Sequence, residues 1–226
     1  MRHGITACIS GWDDGVAVLR PCLESLADAD IPIVYLDGSY RTYSRREPWY
    51  TDAGQLAESF AGIGAKVILA DRRWHDEAEK RTALVSAASG AEWLLIIDAD
   101  ERLELGHDGV RGLMAECASI PATLRACAMV AITASDGPHY RLPRMIHPAG
   151  AEVRFHPPRD YNVTVGGTPL EEVRTIEIPL SVARIRHERE ARPAARLHMS
   201  GRYNRSNWGT GPERVPGSGA IIESEE

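Results

Sequence analysis

The stretch WLLIIDADER, residues 93–102, decides how the rest of the chain is read. Trp93 and four aliphatic residues run without a break into Asp98, Ala99, Asp100 and Glu101. A short continuous apolar run closed by polar residues is the pattern of a strand covered on both faces. Three carboxylates within four positions at its end repel one another, so a positive group must stand against them.

Working outward, DEAEKRTALVSAASG (76–90) reads as a helix whose end is marked by Gly90. ITACIS (5–10), IPIVYLDG (31–38) and KVILAD (66–71) read as further strands, and VAVLRPCLESLA (16–27) as an amphipathic helix despite Pro21. This alternation predicts an α/β fold, a mostly parallel sheet with helices on both faces. Ligands of such sheets collect beyond the carboxyl ends of the strands. Ser10 to Asp14, Asp37, Asp71 and Asp98 to Glu101 all fall there.

The pattern changes after a helical segment near 107–118. ACAMVAIT (126–133), HYRLPRMI (139–146), EVRFHP (152–157) and RTIEIPL (174–180) are shorter strands with Pro and Gly between them, antiparallel in character. Residues 190–205 read as a helix with Pro193 in its first turn. From Gly209 onward the composition of Gly, Pro, Ser and acids predicts a flexible tail, 209–226.

The chain's 226 residues suit a single domain able to bury a full core. A net charge of -6 argues against a general grip on nucleic acid, which relies on surplus Lys and Arg. Cys8, Cys22, Cys117 and Cys127 show no CxxC spacing, so neither a zinc knuckle nor a disulfide framework is indicated. With no apolar leader after Met1 and no run long enough to span a bilayer, the expectation is a cytoplasmic protein without a membrane span.

Two acids in a D-x-D spacing at a strand end are met by a hard divalent cation with oxygen ligands, Mg²⁺ or Mn²⁺, that keeps positions open for substrate phosphates. The plainer reading is that Asp98 caps the next segment while Asp100 and Glu101 are solvated. In this setting the chain resembles the nucleotide-sugar glycosyltransferases of GT-A fold, family 2 type. The resemblance lies in RPCLESLADADIPIVYLDGS, in EKRTALVSAASGAEWLLIIDADE and, more loosely, in IRHEREARPAARLHMSGRYNRSN. It implies one GT-A domain over 1–208, with a nucleotide-binding half at 1–104 and a smaller antiparallel or irregular acceptor half at 105–208.

The resemblance also implies site residues. Ile9, Ser10 and Gly11 border the base and ribose, Asp37 accepts from a ring N–H, and Arg81 reaches the nucleotide. Asp37 meets the family pattern only with a one-residue gap, since Leu36 stands where an Asp is common. Lys80 is read instead as a surface partner of Glu77 or Glu79. Asp98, Ala99 and Asp100 meet the donor, Asp98, Asp100 and His187 hold the metal, and Arg189, Arg192, Arg196 and Tyr203 close over the diphosphate. Asp160 is the candidate base for an inverting reaction.

The implied function is a metal-dependent transfer of sugar from a nucleotide diphosphate sugar, UDP above others, to an acceptor hydroxyl of a protein, a glycan or a small molecule. The alternatives are a noncatalytic module binding sugar nucleotides or glycans, a sugar-phosphate nucleotidyltransferase, and a phosphatase using a D-x-D nucleophile. ISGWDDGVAVLR lacks the Lys of a basic phosphate loop, which counts against the second. Arg102 stands where the third has Thr or Val.

Overall fold

The structure, a computed structural model, describes residues 4–41, 48–134, 139–157 and 159–188, with the backbone alone at 134 and 159–161. The chain order is β1 (Ile5–Ser10), α1 (Val16–Ala27), β2 (Ile33–Leu36), α2 (Ala53–Ser59), β3 (Ala65–Ile68), α3 (Glu77–Ala87), β4 (Trp93–Asp98) and β5 (Glu101–Leu105). There follow α4 (Gly109–Cys117), β6 (Ala126–Ala134), β7 (Tyr140–His147), β8 (Val153–His156), β9 (Arg159–Val165), β10 (Thr168–Pro169), a 3₁₀ turn (Leu170–Glu172), β11 (Arg174–Glu177) and β12 (Ala183–His187).

The main sheet runs β3-β2-β1-β4-β7-β6-β12-β5, with β11 also paired to β6. β1, β2, β3 and β4 are mutually parallel, as are β6, β11 and β12, whereas β7 runs antiparallel to both β4 and β6. A separate antiparallel sheet holds β10-β9-β8. This is the α/β architecture expected above, a large and mostly parallel sheet with a small antiparallel one.

Only Ala99 and Asp100 separate β4 from β5, yet three strands stand between them in the sheet. Three Cα steps reach about 11 Å at most. Four strand spacings in a flat sheet would be about 19 Å. The sheet therefore curls until its last strand meets the end of β4. This curl brings β12, the neighbour of β5, to the strand-end acids.

Successive residues of β4 point to opposite faces, and both faces are covered. Trp93, Leu95 and Ile97 pack with Leu19, Leu23 and Leu26 of α1 and Leu113 of α4. Leu94 and Ile96 pack with Leu84 and Val85 of α3 and Phe155 and Val163 of the small sheet. The apolar run in WLLIID is unbroken for this reason. Pro21 sits inside α1 without ending it, because Val18, Leu19, Cys22, Leu23 and Leu26 are carried into the core on one face.

Five elements escaped the sequence reading: α2, β9, β10, the 3₁₀ turn and β5, the last of which begins at Glu101 where only a turn or helix start is suggested. The expected helix at 190–205 and tail at 209–226 lie outside the described residues. All four cysteines are buried and free. No helix among the described residues is long and apolar enough to cross a membrane.

Candidate functional site

The acids at the end of β4 are met by arginines from two other elements. Arg81, in the first turns of α3, gives Nη2 to Asp98 Oδ1 at 2.7 Å and Nε to Glu77 at 2.9 Å. Arg144, on β7, donates to Glu101 Oε1 at 2.5 Å and reaches Asp98 Oδ2 at 3.4 Å. The other oxygen of Glu101 accepts the Asp98 amide at 2.8 Å. Arg81, Arg144 and Glu101 are all buried, so each charge depends on the others for compensation. Burial pushes the Glu101 carboxyl up, Arg144 opposes it, and Asp98 adds to the rise.

The third acid has a partner of a different kind. Asp100, 4% exposed, turns Oδ2 toward His187 Nε2 at 3.0 Å. The antiparallel pairing of β12 with β5 sets His187 opposite Glu101, and Glu188 N donates to the Asp100 carbonyl at 2.8 Å. The bond to Asp100 raises the pKa of His187, against burial.

Beside this cluster the ends of β1 and β2 form a floor held from below. Lys80 corrects the surface reading given it from sequence. It is 1% exposed, and its Nζ donates to the carbonyls of Gly11 and Gly38, both at 2.7 Å. Burial pushes its pKa down to about 7, while Asp37 and Asp14 pull upward. Asp37 is buried, with its carboxylate accepting Thr51 N at 2.9 Å and Thr51 Oγ1 at 2.6 Å. Trp74 Nε1 donates to the Asp37 carbonyl at 2.9 Å and packs against Gly38.

Of the other residues named from sequence, Ser10 pairs in register with Asp98, and Gly11 continues β1 at the floor. Ile9 departs from the expected role: it is wholly buried between β2 and β4, with its side chain in the core, and meets no ligand. Ala99 is buried in the turn between Asp98 and Asp100. Arg81 is turned to the acids, with Asp98 and Glu77 as its partners. The Asp160 backbone lies in β9, and its side chain is outside the described residues, as are Arg189, Arg192, Arg196 and Tyr203.

Sequence reasoning missed Arg144, Thr51 and Trp74. For Arg144 a signal existed: it stands in an apolar strand between Leu142 and Met145, so a charge there must meet a buried acid, and the structure sets it at a bulge in the pairing of β7 with β6. For Lys80, the i, i+4 spacing to Leu84 puts it on the buried stripe of α3.

A cation of the kind implied would find one carboxylate and one imidazole at Asp100 and His187, donors that suit Mn²⁺ and, through oxygen, Mg²⁺. Asp98 fits less well as a direct ligand, since both its oxygens face guanidinium groups. No group of three His, Cys, Asp or Glu able to hold a metal is already gathered among the described residues. The donor set suits a cation shared with substrate phosphates better than one caged by protein. A cleft of about 600 Å³ lined by Arg41, Trp49, Asp71, Arg72 and Arg73 adjoins the floor. A larger one, about 660 Å³, lies away from the acids beside Asp28, Asp30 and Asp108.

No protein-family model matches the chain, and no curated protein matches it. Among solved structures it is similar to residues 1–349 of S. aureus TarS in complex with UDP, at 17% identity and TM-score 0.42. That similarity covers 61% of this chain and 37% of the other, so the chain spans little more than a third of that structure. It is also similar to a putative glucose-1-phosphate thymidylyltransferase from Bacillus anthracis in complex with a sucrose, at 11% identity and TM-score 0.35, over 89% of this chain and 83% of that one. Neither similarity bears on what this chain binds.

Proposed function

We propose that the chain is a divalent-cation-dependent glycosyltransferase that moves a sugar from a nucleoside diphosphate sugar, UDP in the first instance, to an acceptor hydroxyl. The observation that carries this reading is the meeting of Asp100 and His187, 87 residues apart in sequence, at the carboxyl edge of the sheet. A carboxylate and an imidazole joined there, next to a floor built from the ends of β1 and β2, make a place for a cation and a diphosphate together.

Asp100 and His187 would hold Mn²⁺ or Mg²⁺. Once bound, the cation supplies a Lewis acid for the charge that grows on the departing diphosphate. Ser10 meets base and ribose at the end of β1, and Gly11, whose amide and carbonyl are taken by Leu36 and Lys80, shapes the floor beneath them. Asp37 spends its carboxylate on Thr51 and so orders the loop after β2. Arg81 and Arg144 hold Asp98 and Glu101 in place. Asp160 is the base proposed for an inverting reaction, and Arg189, Arg192, Arg196 and Tyr203 are the ligands proposed for the diphosphate on the family resemblance. The acceptor is a protein, a glycan or a small molecule, the net charge of -6 being unsuited to nucleic acid.

Thermal-shift measurements with UDP-, GDP- and CMP-sugars in Mn²⁺, followed by donor hydrolysis with the wild type and Asp100→Ala, test the reading. Stabilisation by one nucleotide class and loss of hydrolysis in the variant are expected. If no nucleotide sugar raises the melting temperature, the reading fails. Binding without turnover on any acceptor would point to a noncatalytic module.

A further inference from the structure

A nucleotide sugar is a linear ligand, running from base through ribose and diphosphate to the sugar, and the sheet offers it a linear track. In the strand order β2-β1-β4-β7 the floor lies at the ends of β2 and β1, and the Asp100–His187 pair lies at the end of β4. The next strand in line is β7. It runs antiparallel to β4, with Leu94 opposite Ile146 and Leu95 opposite Met145. Each step along β4 toward Asp98 is therefore a step back along β7 toward Tyr140, where β7 begins.

Tyr140 also lies on the face that the site uses. It stands opposite Ile132 of β6, and Ile132 stands opposite Ile185 of β12. Both isoleucines are in the core that Tyr140 packs against, and His187, next but one after Ile185, shares their face. Tyr140 is within electrostatic reach of Glu101, Arg144, Asp98 and Asp100. It is half-buried, and its hydroxyl makes no hydrogen bond among the described residues. A tyrosine whose ring is packed and whose hydroxyl no protein group takes has its polar end left for a ligand.

From this placement we infer that Tyr140 holds the sugar of the donor through a bond between its hydroxyl and a sugar hydroxyl. It is then the residue that separates a sugar nucleotide from the bare nucleotide. The inference rests on the nucleotide-sugar reading above and adds a sugar contact to it. A phenol both donates and accepts, as a sugar hydroxyl does, so the two are matched. A sugar without that hydroxyl leaves the phenol unpaired and is disfavoured.

Calorimetric titration of the full chain in Mn²⁺ tests this, with UDP, UDP-glucose and UDP-N-acetylglucosamine and with GDP and GDP-mannose. Tyr140→Phe keeps the ring and its packing. It should weaken the sugar nucleotide that wild type binds by about tenfold and leave the matching nucleoside diphosphate unchanged. Tyr140→His, which keeps a donor, should recover part of the loss. Equal losses for the sugar nucleotide and the diphosphate, or no loss for either, overturn the inference and leave the nucleotide-sugar reading standing. If wild type binds none of the five compounds, that reading falls and the role of Tyr140 falls with it.

Discussion

Lys80 Nζ donates to the Gly11 carbonyl at 2.7 Å from a position that is 1% exposed, and this one bond ties α3 to the end of β1. The same nitrogen reaches Gly38 at the end of β2, also at 2.7 Å. A neutral amine has two N–H groups, enough for both carbonyls.

Lys80→Met would leave two buried carbonyls without their donor and should cost about 2–4 kcal/mol of stability. The pH dependence separates this residue from a merely packed one. Its folded pKa, about 7, lies below the ordinary 10.5, so between those values the unfolded chain binds more protons than the folded one. Stability must rise with pH across that window, by about 1.4 kcal/mol per pH unit at most. Chemical denaturation of both proteins at pH 7 and pH 9 should show wild type gaining on the variant.

His187 titrates in the opposite sense. Its pKa is raised by Asp100, so its stabilisation is complete below the unfolded value of 6.5 and is lost as pH rises through the higher folded value. His187→Gln should therefore melt well below wild type at pH 6 and close to it at pH 8.5. A difference that does not change with pH would mean the bond to Asp100 carries no charge.

An unbroken apolar run closed by acids can hardly be anything but a buried strand reaching the sheet's edge, and the strand ends were legible in the sequence for that reason. β4 is the clearest instance, with Leu94 and Leu95 buried on opposite faces. His187 was within reach only through the family resemblance, since a single His after a short strand carries no signal of its own. The meeting with Asp100 depends on the curl of the sheet, a property of eight strands in order that no local stretch encodes. β5 escaped because ERLEL follows the acids with no turn signal beyond Ala99 and Asp100. The bonds of Thr51 to Asp37 escaped for a simpler reason: a loop Thr is ordinary, and only the folded chain shows which buried carboxylate it satisfies.

Thr51 also accepts the Asp13 amide on Oγ1 at 2.7 Å, so one hydroxyl joins the loops after β1 and β2. Thr51→Val removes it with little change in shape and leaves Asp37 with the amide of residue 51 alone. A loss of about 1–3 kcal/mol is expected, and Thr51→Ser should recover most of it. Urea denaturation of the three proteins checks this, and equal losses for Val and Ser would show that the methyl group matters instead.

Gly38 has φ +111°, and a Cβ there would come within 2.5 Å of Ala70 Cβ and 2.9 Å of Trp74 Nε1. Backbone strain and steric conflict act together at this position. Gly38→Ala should displace the indole and break its bond to the Asp37 carbonyl. A melting temperature several degrees lower and a shifted Trp emission maximum are expected, against an unaltered spectrum if Trp74 keeps its place.

Asp98 and Asp100 share a spacing but not a role, and different measurements should separate them. Asp98 is held by Arg81 and Arg144, so Asp98→Asn leaves two buried guanidinium groups short of negative charge and should cost about 1–3 kcal/mol. Asp100→Asn keeps an acceptor for His187 Nε2, and its cost in stability should be under about 1 kcal/mol. The same substitution removes the only carboxylate of the Asp100–His187 pair, so Mn²⁺ retention in the presence of UDP should fall at least about a hundredfold. Denaturation curves and Mn²⁺ binding measured on the same two variants decide the matter. Should Asp98→Asn be the one that loses the cation, with Asp100→Asn the unstable one, the assignment of the two acids is reversed.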